Sequence, residues 1–317
     1  MTTLAQPATV RPGRSPFALA MRRFRRNRLA LAGLVMLGLV LASCLAGIVW
    51  DVAALRAGRA QPFQDLLPGI HPQPPSPAHP FGTDPLGRDM LARTLVGGCV
   101  SMGVGLASAT LSVFIGTFWG LVAGYKGKGV DTVMMRLVDV LYGLPYILVV
   151  ILLLVVIPDK PLELFGAAIP SFAVRTAVLF IAIGGVSWLT MARVVRGQAL
   201  ALRETPFIEA ARAMGARHTR IIVRHVLPNL MGTILVCTTL TVPLAILQES
   251  FLSFLGLGVP PPMASWGTLA SAGIEALNPI RVTWWLVLFP CLFLAATLLA
   301  LNFIGDGLRD AFDPRSR

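Results

Sequence analysis

The stretch Glu204-Thr-Pro-Phe-Ile-Glu209-Ala-Ala-Arg-Ala-Met-Gly215, followed by His225-Val-Leu-Pro228, is a polar island between two strongly apolar runs. Thr205 fits a helix N-cap, Pro206 the first helical position and Gly215 the position just past the helix end. The sequence therefore specifies a short helix over about 206–214. At ~1.5 Å per residue it is roughly 14 Å long, too short to persist alone in water, so it must rest on something. Phe207, Ala210, Ala211 and Met214 fall at i, i+3, i+4 and i+7, giving an apolar stripe with small residues at its centre. That pattern suits a helix laid into a groove of another protein, and equally an interfacial helix resting on lipid.

Outward from the island the chain is apolar. Charged residues make up 13% of it against about 25% in soluble domains, and mean hydropathy is +0.74. Spans of ~20 apolar residues are read at 29–50, 101–124, 133–157, 174–192, 230–252 and 283–305, a six-helix, all-α polytopic membrane protein. The net charge of +12 is distributed by topology rather than gathered in one patch with interleaved aromatics, which argues against nucleic acid and for a lipid bilayer. Arg11, Arg14, Arg22, Arg23, Arg25, Arg26 and Arg28 precede the first span, so the basic tail 1–28 is expected to be cytosolic. Counting forward places Lys126 and Lys128, the 193–229 loop with seven arginines, and the tail 306–317 on the same side. The 51–100 loop falls on the other side, and 101–305 forms a five-helix core that includes the island.

Leu41-Ala-Ser-Cys44 has the look of a lipoprotein cleavage box, but the apolar run continues to Trp50, which favours a signal anchor. Cys44, Cys99, Cys237 and Cys291 lie in or beside spans without paired spacing, so neither a zinc site nor a disulfide framework follows. The 51–100 loop is rich in proline and condenses into His79-Pro-Phe-Gly-Thr-Asp84-Pro-Leu-Gly-Arg88-Asp89-Met-Leu-Ala-Arg93. Thr83 or Asp84 before Pro85 predicts a helix start, with Arg88, Asp89 and Arg93 forming ion pairs, in a structural clamp rather than a direct contact to substrate. Further on, Phe251-to-Gly258 and Pro260-Pro-Pro262 predict a partly embedded turn, with Trp266 at the membrane interface.

Within the spans, Gly116, Gly120 and Gly124 recur at i, i+4 and i+8, a stripe for close helix packing. Pro145, Pro243 and Pro290 permit kinks. Asp139 and Glu249 are intramembrane carboxylates and hence candidates for the pathway or its gating, together with Pro145 and Pro243. The structural alternative pairs Asp139 with Arg136 along one face and lets Glu249 reach the interface.

Glu209-Ala-Ala, Gly215 and Leu227-Pro228 at these spacings resemble the cytosolic motif of ABC importer permeases. That family's generic pattern has an aliphatic residue where this chain has His225; His225-Val-Leu-Pro-Asn229 is instead similar to the dipeptide, oligopeptide and nickel branch. The same branch is resembled by the Arg22-to-Trp50 opening, by His79-to-Asp84 with Gly87-Arg88-Asp89, and by Arg136-Leu-Val-Asp139 with Pro145. Phe254-Leu-Gly256-Leu-Gly258, Gly305-Asp306-Gly-Leu-Arg309-Asp310 and Asp313-Pro314-Arg315 extend the likeness, which runs from about residue 15 to the C-terminus. The resemblance is to C-type permease subunits and implies the type I importer fold in a bacterial inner membrane. It further implies a heterodimer with a sister permease, two ABC ATPases that carry ATP and Mg, and an extracytoplasmic substrate-binding protein. In that family the island is the coupling helix, so Thr205, Pro206, Phe207, Glu209, Ala210, Ala211, Met214 and Gly215 are expected to dock an ATPase.

Independently of the resemblance, this chain has no G-x-x-x-x-G-K-[ST]; Gly124-Tyr-Lys-Gly-Lys128-Gly lacks its spacing and hydroxyl, so no bound cofactor or metal is expected. The four histidines, His71, His79, His218 and His225, all lie outside the spans, which disfavours a membrane-embedded enzyme. Asp139 and Glu249 alone make a thin relay for a carrier or channel working without ATP. Peptide is the substrate class the resemblance implies, with nickel chelates or sugars as alternatives in the same type of complex.

Overall fold

A computed structural model describes residues 16–66, 69, 72–156, 162–164, 167–277 and 282–312. Arg11, Arg14, His71, Asp313, Pro314 and Arg315, used above, lie outside the described residues. A short helix α1 (Pro16–Phe24) precedes α2 (Arg28–Arg56), whose first turn is closed by Asn27 Oδ1 accepting from the Ala30 amide at 3.1 Å. Then come α3 (Met90–Lys126), α4 (Lys128–Tyr142), α5 (Tyr146–Val156), α6 (Ser171–Arg203), α7 (Pro206–Ala213) and α8 (His218–Ile221). A π-helical turn, Ile222–Val226, leads into α9 (Leu227–Phe254), followed by α10 (Trp266–Glu275) and α11 (Trp285–Phe312). The one departure from an all-helical chain among the described residues is a hairpin, β1 (Leu162–Leu164) antiparallel to β2 (Ala167–Ile169).

Among the described residues, five helical segments are long and apolar enough to cross a membrane: α2, α3, α6, the run His218–Phe254 and α11. The sixth expected span, 133–157, is not one helix. It is the pair α4 and α5, bent by 81°. Pro145 has no amide hydrogen and its ring collides with the carbonyl four residues back, while Gly143 weakens the preceding turn. Pro243 and Pro290, by contrast, sit inside continuous helices and are both buried.

The helices outrun the apolar windows. The second starts at Met90 rather than 101 and the fourth runs on to Arg203, because polar residues at span ends stay helical without being hydropathic. The helix start expected at Thr83 or Asp84 is instead a turn. Asp84 Oδ1 accepts from the Leu86 and Arg88 amides at 2.9 and 2.8 Å, and Pro85 occupies the second turn position. The N-cap of α3 is Asp89, accepting from the Ala92 amide at 3.0 Å.

Helices α3 and α6 form the spine. A Cβ added at Gly116 would lie 2.6 Å from Met191 Cβ, at Gly120 2.6 Å from the Ala192 carbonyl oxygen, and at Gly124 2.6 Å from that of Arg196. The stripe thus brings backbone against backbone, where dispersion rather than the hydrophobic effect holds spans together. The Cβ of Gly120→Val also lies 2.8 Å from Val195 Cβ and 2.9 Å from the Arg196 amide nitrogen, and its branch adds to the crowding. We expect it to destabilise the protein by about 1–3 kcal/mol, read as a lower unfolding temperature of the purified protein in detergent. The exposed Gly129, with nothing within 4 Å, tolerates the same change by this measure.

Candidate functional site

Helix α7 lies at the end of the bundle where α3 closes at Lys126, tied there by Arg203 Nη1 donating to the Lys126 carbonyl at 3.3 Å. Its ends are specified locally. Thr205 has the extended backbone of an N-cap (φ −80°, ψ 144°), but its hydroxyl donates back to the Leu202 carbonyl rather than capping the new helix. Pro206 opens α7. At the other end Gly215 takes φ +79°, its amide donates to the Arg212 carbonyl at 2.9 Å, and the Ala216 amide donates to that of Ala211 at 3.1 Å. This paired closure requires a left-handed residue, for which glycine carries no Cβ penalty.

The expected stripe divides between two faces. Ala211, with Ile208, turns inward and is buried in a cluster with Tyr125, Val195, Ala199, Ile221 and Val226. Phe207, Ala210 and Met214 turn outward, Phe207 at 45% and Met214 at 82% exposure, and Glu209 is exposed beside them. Ile208 escaped the sequence reading because it interrupts the 207–210–214 line; its own i, i+3 spacing to Ala211 was the available signal. The inner face is further fixed by Tyr125, whose hydroxyl meets His218 Nδ1 at 3.1 Å while the Arg212 guanidinium lies 5.3 Å from its ring centroid. Arg217, Arg220 and Arg224 are exposed on the following segment. The π turn arises just before Pro228, where the Leu227 amide reaches five residues back to Ile222.

Asp139 does not pair with Arg136. Its partner is Arg193 of α6, Nη2 to Oδ1 at 2.9 Å, with the Arg193 guanidinium 4.0 Å from the Tyr142 ring centroid. An Arg three residues before an acid is the less favourable order on a helix, and α6 offers a cation across the gap. A second rung joins the same helices: Arg196 grips Asp131 through Nε and Nη2, both at 2.6 Å. Sequence gave no pointer to either pairing beyond the presence of both signs, since the partners lie 54 and 65 residues apart.

Glu249 does not reach the interface. It is fully buried, accepting from Ser253 Oγ at 2.7 Å and Ser250 Oγ at 3.3 Å, with Ser101 and Ser265 beside it. Ser265 is the N-cap of α10, and Ser101 accepts the Trp266 amide at 3.0 Å. Trp266, expected at the membrane interface, is fully buried, its indole donating to the Thr94 carbonyl at 3.0 Å. A tryptophan suits either place provided its N–H finds an acceptor. Near this end a cavity of about 680 Å³ is lined by Asp84, Arg88, Arg93, Arg175 and Glu275 among others. Its wall is stiffened by Arg88–Asp84 at 2.7 Å, Arg93–Asp84 at 3.8 Å and His79–Asp89 at 2.9 Å.

Residues 116–317 match the family model described as the inner membrane component of binding-protein-dependent transport systems, and residues 15–68 that of the N-terminal TM domain of oligopeptide transport permease C. The oligopeptide transport system permease protein OppC of Bacillus subtilis is 42% identical over 94% of this chain and 89% of its own length. OppC of Escherichia coli is 44% identical over 96% of this chain and 93% of its own. The dipeptide transport system permease protein DppC of Bacillus subtilis is 42% identical over 97% and 88%. Among solved structures, an inward-facing MetNI methionine ABC transporter aligns with TM-score 0.51 at 17% identity, over 69% of this chain and 96% of that one, a likeness of fold. With its matched N-terminal module, its bent third span and its α7 island, this chain belongs to the family of inner membrane components of binding-protein-dependent transport systems.

Proposed function

We propose that this chain forms half of the translocation pathway of an ATP-driven importer of dipeptides or oligopeptides, and that α7 is the coupling helix docking one ATPase. In this reading a sister permease completes the pathway, two ATPases bind ATP and Mg at the α7 end, and a substrate-binding protein delivers peptide to the opposite end. The α7 end, with both chain termini, is then cytosolic. The observation that carries the proposal is the division of α7: Ile208 and Ala211 are locked into the permease core while Phe207, Ala210 and Met214 are presented outward. Such a helix passes a push on its outer face to α6 and α9 without sliding. ATPase closure then rocks the attached spans between inward-open and outward-open arrangements. Peptide as cargo rests on the names of the relatives.

The test is reconstitution with the partner subunits in vesicles. Gly215→Pro demands a φ near −65° where the chain has +79° and removes the amide that bonds Arg212; Glu209→Lys reverses an exposed charge on the outward side. Both variants are expected to insert normally and to permit ATP hydrolysis while uptake of a labelled dipeptide mixture is lost. Wild-type uptake in both removes the case for a coupling helix.

A further inference from the structure

Asp139 lies in the bent α4–α5 pair and Arg193 in α6, where its apolar run gives way to the basic island, and their side chains are 60% and 37% exposed. Exposed charges bordering apolar spans do not face hydrocarbon; they face a wet passage or another polar surface. The neighbouring backbone points to the passage. Tyr142, which stacks on Arg193, is the last residue before the 81° break, and interrupted helices in spans occur where they line a cavity.

The two rungs between α4 and α6 differ in kind. Asp131 is 12% exposed and held by two bonds of 2.6 Å from Arg196, a fork-to-carboxylate grip that fixes the helices. The Asp139–Arg193 rung, three residues earlier on α6, has a single bond of 2.9 Å and stands open to solvent. An exposed single-bonded pair contributes little net stability, so exchanging its partners costs little. A free peptide carries the same two charges at its ends. Its ammonium replaces the guanidinium on Asp139, and its carboxylate takes the fork of Arg193 in place of Asp139.

We propose that Asp139 and Arg193, backed by Tyr142, form a transient binding site for the charged termini of a zwitterionic peptide in transit. The inference rests on the peptide-permease reading above and adds the chemistry by which the pathway handles its cargo. Weak, exchangeable binding suits a site that must release what it holds.

Initial uptake rates in vesicles holding the complete transporter, at saturating loaded binding protein, test it. The probes are one labelled dipeptide with free ends, its C-terminal amide and its N-acetyl form, against wild type, Arg193→Gln, Asp139→Asn and Arg196→Gln. The binding protein is common to all, so a change in the ratio of rates between variants reports on the permease. Arg193→Gln should shift the free-acid to amide ratio by roughly tenfold towards unity, the scale of one charge-assisted hydrogen bond. Asp139→Asn should shift the free-amine to acetyl ratio instead. Arg196→Gln should lower the amount of folded complex and leave both ratios alone. Where Arg193→Gln assembles poorly, Arg193→Lys, which keeps the charge without the fork, should retain a preference for the free acid. Ratios that stay at wild-type values in both Arg193→Gln and Asp139→Asn overturn the inference and leave a structural rung. No uptake of any form by wild type overturns the peptide reading along with it.

Discussion

Phe207→Asp combined with Met214→Asp is expected to leave the permease folded and inserted, to strip the ATPases from it and to abolish uptake. Met214 is 82% and Phe207 45% exposed and neither belongs to the buried cluster, so the core of the chain does not depend on them. Truncating an aromatic anchor at an interface typically costs about 2 kcal/mol or more, roughly 30-fold in affinity, and a buried carboxylate at the same place adds a desolvation penalty. The control is Ile208→Asp. Ile208 is fully buried against Tyr125 and Ala199, so a charge there undoes the seat of α7 itself and lowers the yield of folded protein. Co-purification of the ATPases separates the two cases. Full recovery of the ATPases with the double variant places the docking surface elsewhere.

Glu249→Ala carries the second large effect, at the opposite end. Two serine hydroxyls of α9 donate to this carboxyl group, Ser253 at 2.7 Å and Ser250 at 3.3 Å, and Ser101 of α3 and Ser265 at the cap of α10 stand beside it. A carboxyl group has acceptor positions enough for these hydroxyls without a counter-ion. Removing it orphans buried donors at about 1–3 kcal/mol each where no other acceptor is near, and leaves a void. We expect a loss of about 3 kcal/mol in stability, with α10 loosened from α3 and α9. Glu249→Gln, which keeps an acceptor oxygen, should fall between Ala and wild type. Thermal unfolding of the three proteins in detergent decides it, and identical curves would mean that the node holds nothing together.

Much of the bundle was legible because it follows from local rules. Apolar runs mark the spans, the Gly116–Gly120–Gly124 stripe marks the α3–α6 contact, and Pro206 and Gly215 bound α7 closely. What was not legible depends on which elements meet. Asp139 looked paired with Arg136 because sequence displays only neighbours along one helix, whereas Arg193 comes from another. Three span prolines look alike in sequence, yet only Pro145, with Gly143 just before it, breaks its span. Trp266 has the same chemistry at an interface as in a core, and its burial is decided by Ser101 and the Thr94 carbonyl, more than 160 residues away (165 and 172). The inward turn of Ile208 is likewise set by Tyr125 and Val226, not by the periodicity of an eight-residue helix.

The most direct measurement of α7 docking is protection of a single thiol. With Cys44, Cys99, Cys237 and Cys291 replaced and Met214→Cys introduced, a membrane-impermeant maleimide is applied to open membranes holding the two permeases, with and without the ATPases. At 82% exposure, position 214 should label readily in the permeases alone and become protected when the ATPases bind. Labelling at the same rate in both states would contradict docking through this face.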